Sequence, residues 1–592
     1  MKKIIALCSV WAGITGIGGV KNADAAHFDP TTGRVTLDAV SVGTTDYYGV
    51  QVGIGQVLRY TTLPPVSTVD VFDPATGQLT IRSLTVGGVR YTNIVVTLQA
   101  VYGVTGAGMT AAANPVLPND PLFPDQWHLR NTGQAGRTGV AGLAGDDLNA
   151  ARAWNLATGK GIQIAILDDG LDIYHEDLRT VPGKSWDYRV NAYGDPSSGL
   201  GNHGTACGGL AAAIGNNGKG VVGVAFDAQL VGYNLLQTGT SYAQANALVK
   251  DMDSNHIYSN SYGALDYLGT FQPAETMWEN AITTGLNQGR NGKGAIYIWA
   301  AGNGAPRDRS DYDEQANFYG VIAVTAVNDQ GKASEYAEAG SNVLISAYGG
   351  EYCDTHTLTT TDVTAAAGFN NGTTNPEDYI GKSHYTRCLN GSSGAAPQIA
   401  GVVALMLEVN PALTWRDVRM ILAQTARQND PTHPDWRANA GGLLFNPQYG
   451  FGVADAWAAV TAAQNWVSIA PQKVASYAMS SAMPITLSQT GIEKLEFVEI
   501  TLTSQHASVG DLHITLTSPS GTVSTLAVPH TCASPDTMVI VGCGSGLITG
   551  FRFGIAQLIG ERADGVWRLA VQDTKKNSPA DVLGWSIRAM GF

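Results

Sequence analysis

Ile164-Ala165-Ile166-Leu167-Asp168-Asp169-Gly170 is an apolar run that ends on two acids and a glycine. Such a run, without polar alternation, suits a strand buried on both faces of a parallel sheet. The C-terminal ends of such strands are where α/β folds place their chemistry, which makes Asp168 a candidate site carboxylate. Downstream, Asn202-His203-Gly204-Thr205 opens the Ala-rich stretch 206–214. Further on, Asn390-Gly391-Ser392-Ser393-Gly394-Ala395-Ala396-Pro397 opens an apolar helix predicted over 395–409. Apolar strand-like runs at 162–167, 296–300 and 321–327 alternate with helical patterns at 395–409 and 415–426. That alternation predicts a mostly parallel sheet covered by helices.

The three motifs supply an Asp, a His and a Ser in that order. A seryl hydroxyl is a weak nucleophile unless an imidazole accepts its proton, and the imidazole needs a carboxylate to hold its tautomer and its charged form. Asp168, His203 and Ser393 are therefore candidate triad members. Backbone N–H groups at the helix start after Ser393 favour a developing negative charge. Asn303, between glycines in Trp299-Ala300-Ala301-Gly302-Asn303-Gly304, is the candidate second oxyanion donor.

At 592 residues the chain exceeds what one hydrophobic core supports, so several domains are expected. Hydrophobic residues at 44% and charged residues at 14% describe a globular chain. The net charge of -14 argues against nucleic acid or an anionic membrane as partner and makes cations the better ligands. Residues 1–25, with Lys2, Lys3, an apolar run and Ala23-Asp24-Ala25, read as a bacterial-type signal peptide, so export to the periplasm or the medium is expected. No later run is long enough for a transmembrane helix. Beyond Cys8 five cysteines remain. The simplest pairing joins Cys353 to Cys388 and Cys532 to Cys543, leaving Cys207 free beside His203.

Phe28-Asp29-Pro30-Thr31-Thr32-Gly33 returns as Phe72-Asp73-Pro74-Ala75-Thr76-Gly77, an offset of 72 - 28 = 44. Residues 26–108 thus read as a β module of two tandem repeats, followed by a Gly/Ala/Pro/Asn-rich linker at 109–119, a catalytic α/β domain at 120–470 and an all-β sandwich at 471–592.

These motifs resemble the subtilisin superfamily. Their neighbours are similar to the kexin/furin group of proprotein convertases: Asp120-Pro121-Leu122-Phe123-Pro124-Asp125-Gln126-Trp127, His203-Gly204-Thr205-Ala206-Cys207, His256-Ile257-Tyr258-Ser259, Leu413-Thr414-Trp415-Arg416-Asp417 and Gln464-Asn465-Trp466. The stretch Gly510-Asp511-Leu512-His513-Ile514-Thr515-Leu516 and Ser518-Pro519-Ser520-Gly521-Thr522 is similar to the P domain of that group, a jelly-roll sandwich that packs on the subtilisin-like domain and stabilises it. The resemblance implies a calcium-dependent serine endopeptidase acting on proteins or peptides with basic residues. Asp266, helped by Asp313, would meet the residue before the cleaved bond, and Asp169 the one before that. Calcium, a hard ion that prefers oxygen, would be held at one site by Asp120, Asp177 and Asn217 with the carbonyls of Ile214, Lys219 and Val221. A second site would use Asp308 and Glu338 with Asp266.

Two departures qualify the resemblance. Leu236-Gln237-Thr238-Gly239-Thr240-Ser241-Tyr242 carries no acid for basic residues further upstream, so dibasic rather than longer recognition is expected. The β repeats stand where a prodomain would be, and no basic pair lies between Lys21 and Arg130. A separately encoded folding chaperone, or an envelope-docking role for the repeats, are the two readings this leaves open. A broad subtilisin and a non-catalytic envelope-binding or adhesion protein are the rival functions.

Overall fold

The structure is a computed structural model and describes residues 26–29, 34–42, 45–61, 70–73, 78–86, 89–103, 106–109, 117–135, 139–197, 201–353, 356–364, 368–371, 378, 384–506, 508–543, 546–576 and 578–592. The expected signal peptide 1–25 lies outside these residues, as do positions 110–116 of the expected linker. The chain divides into two compact units, Met1–Asn114 and Pro115–Phe592.

In the first unit, β1 (Ala26–Asp29), β2 (Arg34–Val42), β3 (Thr45–Thr61), β4 (Asp70–Asp73), β5 (Gln78–Val86), β6 (Val89–Gly103) and β7 (Gly106–Met109) make one sheet ordered β1-β2-β4-β5-β6-β3-β7. The first three strands begin at 26, 34 and 45 and the next three at 70, 78 and 89, so the offset of 44 holds strand by strand. It holds in the core too, where Val35/Leu79, Leu37/Ile81, Val40/Leu84, Val50/Ile94 and Val52/Val96 are all buried. Equal spacing of inward apolar residues makes each repeat bury the same face.

The second unit is built on an eight-stranded sheet: β8 (Gln163–Asp168), β9 (Trp186–Asp187), β10 (Ala192–Tyr193), β11 (Gln229–Asn234), β12 (Ile257–Asn260), β13 (Ile296–Ala300), β14 (Val321–Val327) and β15 (Ile345–Tyr348). Its order is β10-β9-β11-β8-β12-β13-β14-β15, and every pairing except that of β9 with β10 is parallel. β8, β12, β13, β14 and β15 are buried at every position, as helices on both faces of a parallel sheet require. Two helices carry site residues, α1 (Asn202–Ala212) and α2 (Ser392–Val409). Among the described residues α2 alone has the length and hydropathy of a membrane span, and 83% of it is buried inside the fold.

After the helix Ala456–Gln464 the chain forms a sandwich. One sheet pairs Lys473–Met479, Asp581–Gly591, Leu495–His506 and Gly546–Ile555; the other pairs Ile485–Leu487, Gly565–Asp573, Leu512–Thr517 and Val523–Ala527. Its core, which includes Val498, Ile500, Leu512, Ile514, Phe553 and Trp567, takes in Tyr312 from the α/β part. Arg416 to Glu496 and Arg552 to Glu279 pair across the same junction. The sandwich is thereby part of one compact unit with the α/β part. Cys353–Cys388 and Cys532–Cys543 are disulfides and Cys207 is a buried free thiol, the pairing expected from the sequence.

Candidate active site

β8 delivers Asp168, fully buried, at its last position. His203 stands on the first turn of α1 with its ring partly open to solvent, and its Nδ1 lies 2.9 and 3.0 Å from the two Asp168 oxygens. The helix can approach β8 this closely because of Gly204, where a Cβ would collide with the Gly170 carbonyl. Burial opposes charging of the ring, yet the Asp168 carboxylate outweighs it and holds the His203 pKa well above 6.5. The base is therefore neutral only at higher pH than an ordinary histidine, which moves the expected acid limb of activity upward from 6.5.

Ser393 lies in the first turn of α2. Its hydroxyl donates to the Ser261 carbonyl at 3.1 Å, and no hydrogen bond joins it to His203 among the described residues. The Ser261 hydroxyl in turn donates to Ser393 O at 2.9 Å. Ser261, at the end of β12, is a site residue that the sequence reading missed; its only signal was its place directly after a buried strand. Cys207, one turn after His203, has its Sγ 3.4 Å from Ser393 O and 3.9 Å from His203 Nδ1.

Asn303 accepts from Ser392 N at 2.8 Å and from Ser392 Oγ at 2.9 Å. Its carbonyl end is thus committed to the start of α2, which leaves the amide nitrogen as the donor end. The Asn303 backbone N–H donates to Asp266 at 2.9 Å.

A pocket of about 170 Å³ opens beside Ser393, with Asn303, Asp266, Asp308, Asp313 and Glu338 in its lining. Asp313 accepts from Ala264 N and Gln315 N, and burial pushes its pKa to about 6. Burial does the same to Asp308, which accepts from Leu268 N and Gly269 N. Glu338 accepts from Gly304 N at 2.8 Å; burial first, then Asp266 and Asp308, hold its carboxyl well above the usual range. Arg309 also reaches the lining, but it is paired with Asp311. Among the described residues no ion pair reaches Asp266, Asp308, Asp313 or Glu338, and Arg309 acts on Glu338 only through space.

Asp169 has a different placement from its neighbour. Its carboxylate accepts from Gly204 N at 2.8 Å and approaches His203 N at 3.4 Å, which makes it a cap on α1. Burial and the adjacent Asp168 push it up to about 7. In the segment 236–242, Gln237 accepts from Arg189, which pairs with Asp187, and donates to Asp169 O.

Asp120 and Asp177, both buried, come together at the loop 214–221, remote in sequence from either. Asp120 accepts from Asn216 N and Asn217 N, Asp177 from Val221 N and from Asn217 Nδ2. Burial raises both carboxyls, Asp177 to about 6. Two buried acids close to each other, with no ion pair of their own among the described residues, fit a hard cation. Asn217 differs from the expected oxygen ligand: it presents its nitrogen to Asp177, while its oxygen takes Lys219 N. Lys219 pairs with Glu176 at its side chain, which leaves its carbonyl and those of Ile214 and Val221 on the same loop. At the pocket, half-buried Asp266 with buried Asp308 and Glu338 makes a second all-oxygen set of acids, although their oxygens are not gathered within 4.8 Å of one another.

A family model described as "Subtilase family" matches residues 159–452, and one described as "Proprotein convertase P-domain" matches 495–589. A PC3-like endoprotease variant B of Hydra vulgaris is 34% identical over 484 residues, covering 77% of this chain and 64% of its own. Neuroendocrine convertase 2 of Drosophila melanogaster is 32% identical over 513 residues, with 79% and 72% covered. The chain spans 64% and 57% of the lengths of two Hydra relatives that it matches. The solved serine protease of Aeromonas sobria is similar over 82% of this chain and 97% of its own, at 26% identity and a TM-score of 0.70; its complex with a chaperone, ORF2, gives 0.71, with 82% and 96% covered.

Proposed function

The chain belongs to the subtilase family, in the branch that carries a proprotein convertase P domain, and on that basis we propose that it is an exported, calcium-dependent serine endopeptidase cutting after basic residues. The observation that carries this reading is the pocket beside Ser393 walled by Asp266, Asp308, Asp313 and Glu338. A cationic side chain offsets the repulsion among those acids, and a neutral one leaves it in place. Asp169 adds a half-buried acid next to the triad for a second basic residue.

In the proposed reaction Ser393 leaves the Ser261 carbonyl by rotation about its side chain and attacks the scissile carbonyl carbon. Its proton passes to His203 Nε2, while Asp168 holds the Nδ1 proton and stabilises the imidazolium. The Asn303 amide nitrogen and the Ser393 backbone N–H receive the oxyanion, the Ser392 N–H being taken by Asn303 Oδ1. His203 then protonates the leaving amine, and water hydrolyses the acyl-enzyme by the same relay. Calcium, when bound, would supply positive charge at Asp120 and Asp177. A separate chaperone is proposed for folding, as the Aeromonas sobria protease is known in complex with one. The N-terminal run 1–25 supports export.

The test compares fluorogenic peptides ending in Lys-Arg and in Ala-Phe, with and without chelator, for the wild type and Ser393→Ala. The expected result is cleavage of the basic peptide strongly preferred over the Ala-Phe peptide, dependent on calcium and lost in the variant, with an acid limb above pH 6.5. Equal cleavage of both peptides would give the function to a broad subtilisin, and cleavage of neither by correctly folded protein to a binding role.

A further inference from the structure

The acid pocket is braced from behind by the C-terminal sandwich. We propose that the disulfide-closed loop Cys532–Cys543, acting through His530, is a positioning element that sets Asp308 and Tyr312 in the pocket wall. The proposal rests on the reading of that pocket as the site for a substrate cation.

The contacts form a short chain across the junction. His530 Nε2 lies 2.7 Å from Gly269 O, Cys532 Sγ lies 3.0 Å from the same oxygen, and Ala533 N donates to Leu268 O at 3.0 Å. The sandwich thus holds the carbonyl side of Leu268 and Gly269. The N–H side of the same two residues holds Asp308, one N–H to each carboxylate oxygen. Gly269 has φ +66°, and a Cβ there would run into Thr531 O, so a glycine is what lets the two backbones meet. The His530 ring also packs on Tyr312 with centroids 4.8 Å apart, and its Nδ1 is 3.2 Å from the Tyr312 hydroxyl. Asp308 and Tyr312 both line the pocket. His530 in turn is fixed to the sandwich through its N–H to Gly510 O at 2.9 Å, and the Cys532–Cys543 bond closes the loop that follows it.

A neutral hydrogen bond contributes about 1 kcal/mol net. Loss of the His530 contact should therefore raise KM for a peptide ending in Arg roughly threefold to tenfold. His530→Ala is expected to show that rise with kcat little changed and with no rise for a peptide ending in Phe. His530→Gln, whose amide nitrogen can still donate to Gly269 O, should restore the Arg value. Cys532→Ser/Cys543→Ser should shift KM in the same direction as His530→Ala. In parallel, hydrogen exchange at the Leu268 and Gly269 amides is measured in the full chain carrying Ser393→Ala, with and without His530→Ala; faster exchange is expected in the latter. Unchanged exchange overturns the proposal, and so does an equal loss on the Arg and Phe peptides that His530→Gln does not rescue. Faster exchange with an unchanged Arg-to-Phe ratio keeps the brace and instead sinks the reading of the acid pocket.

Discussion

Two groups of acids in the second unit, all buried except half-buried Asp266, meet the same physical difficulty and resolve it differently. Asp120 and Asp177 are closed over by one loop, whose N–H groups from 216, 217 and 221 point at their oxygens. Asp266, Asp308, Asp313 and Glu338 are held by single N–H groups or pairs of them, and they line an open pocket at the nucleophile. No ion pair neutralises any of these six among the described residues. A carboxylate left this way in low dielectric is costly, and the cost is relieved by protonation, which the raised carboxyls favour, or by a cation. The closed loop leaves its two acids facing backbone and amide N–H groups, while the other acids line a pocket open beside Ser393. On the proposed function, the position of the backbone, rather than the number of acids, separates a structural charge from a selective one.

Neutralising one acid of each kind without changing its shape probes this contrast most directly. Asp266→Asn is expected to lower kcat/KM for a peptide ending in Arg by roughly two to three powers of ten, the scale of breaking a buried charge pair. A peptide ending in Phe should be nearly unaffected. Asp177→Asn should leave the Arg-to-Phe ratio as it is in the wild type. The measurement is paired kinetics on the two peptides, and a large ratio change in Asp177→Asn would erase the distinction between the two groups.

Calcium gives the next largest difference. At free calcium a hundredfold above its Kd, binding stabilises the folded chain by about 2.7 kcal/mol, and Asp177→Asn should remove much of that gain in a melting experiment. The pH dependence follows from the raised carboxyls. Asp177 moves from 3.8 to about 6 and Asp308 likewise, so between these values the folded chain binds protons that the unfolded chain has released. Without calcium, stability therefore falls as pH rises from about 4 to about 6. Calcium needs the ionised forms, so its stabilising effect should grow across the same window. A melting temperature that rises with pH in chelator over this range would contradict the assignment of these shifts.

The motif residues were legible in the sequence because each sits where a buried strand or helix begins or ends: Asp168 closing β8, Asn303 just after β13, His203 and Ser393 at helix starts. The repeat was legible because its inward apolar residues recur every 44 positions. The grip of Ser261 on the Ser393 hydroxyl was not, since it joins residues 132 apart and has no pattern of its own. Nor was the His530 contact with Gly269, 261 positions away, which depends on how the sandwich docks. The side on which Asn217 presents its nitrogen was likewise set by the loop fold, through Lys219 N. Local sequence specified which groups are present; long-range packing decided what each of them faces.

Asp169 offers the smallest and most discriminating test, because it belongs to neither group of acids: it caps a helix and also adjoins the triad. Asp169→Ala removes the acceptor for Gly204 N, which should cost about 1 kcal/mol of stability. Asp169→Asn keeps a good capping side chain and should cost only a few tenths. Both variants remove a negative charge that favours the imidazolium of His203, since Asp169 and His203 perturb one another's titration. The acid limb of kcat/KM should accordingly move to lower pH in both, by a similar small amount. If Asp169 also meets a basic residue of the substrate, both should lose preference for Lys-Arg over Ala-Arg peptides to the same degree. A loss of stability in Asp169→Ala alone, with the limb and the preference unmoved in both variants, would make Asp169 a helix cap and nothing more, and would confine selectivity to the pocket of Asp266.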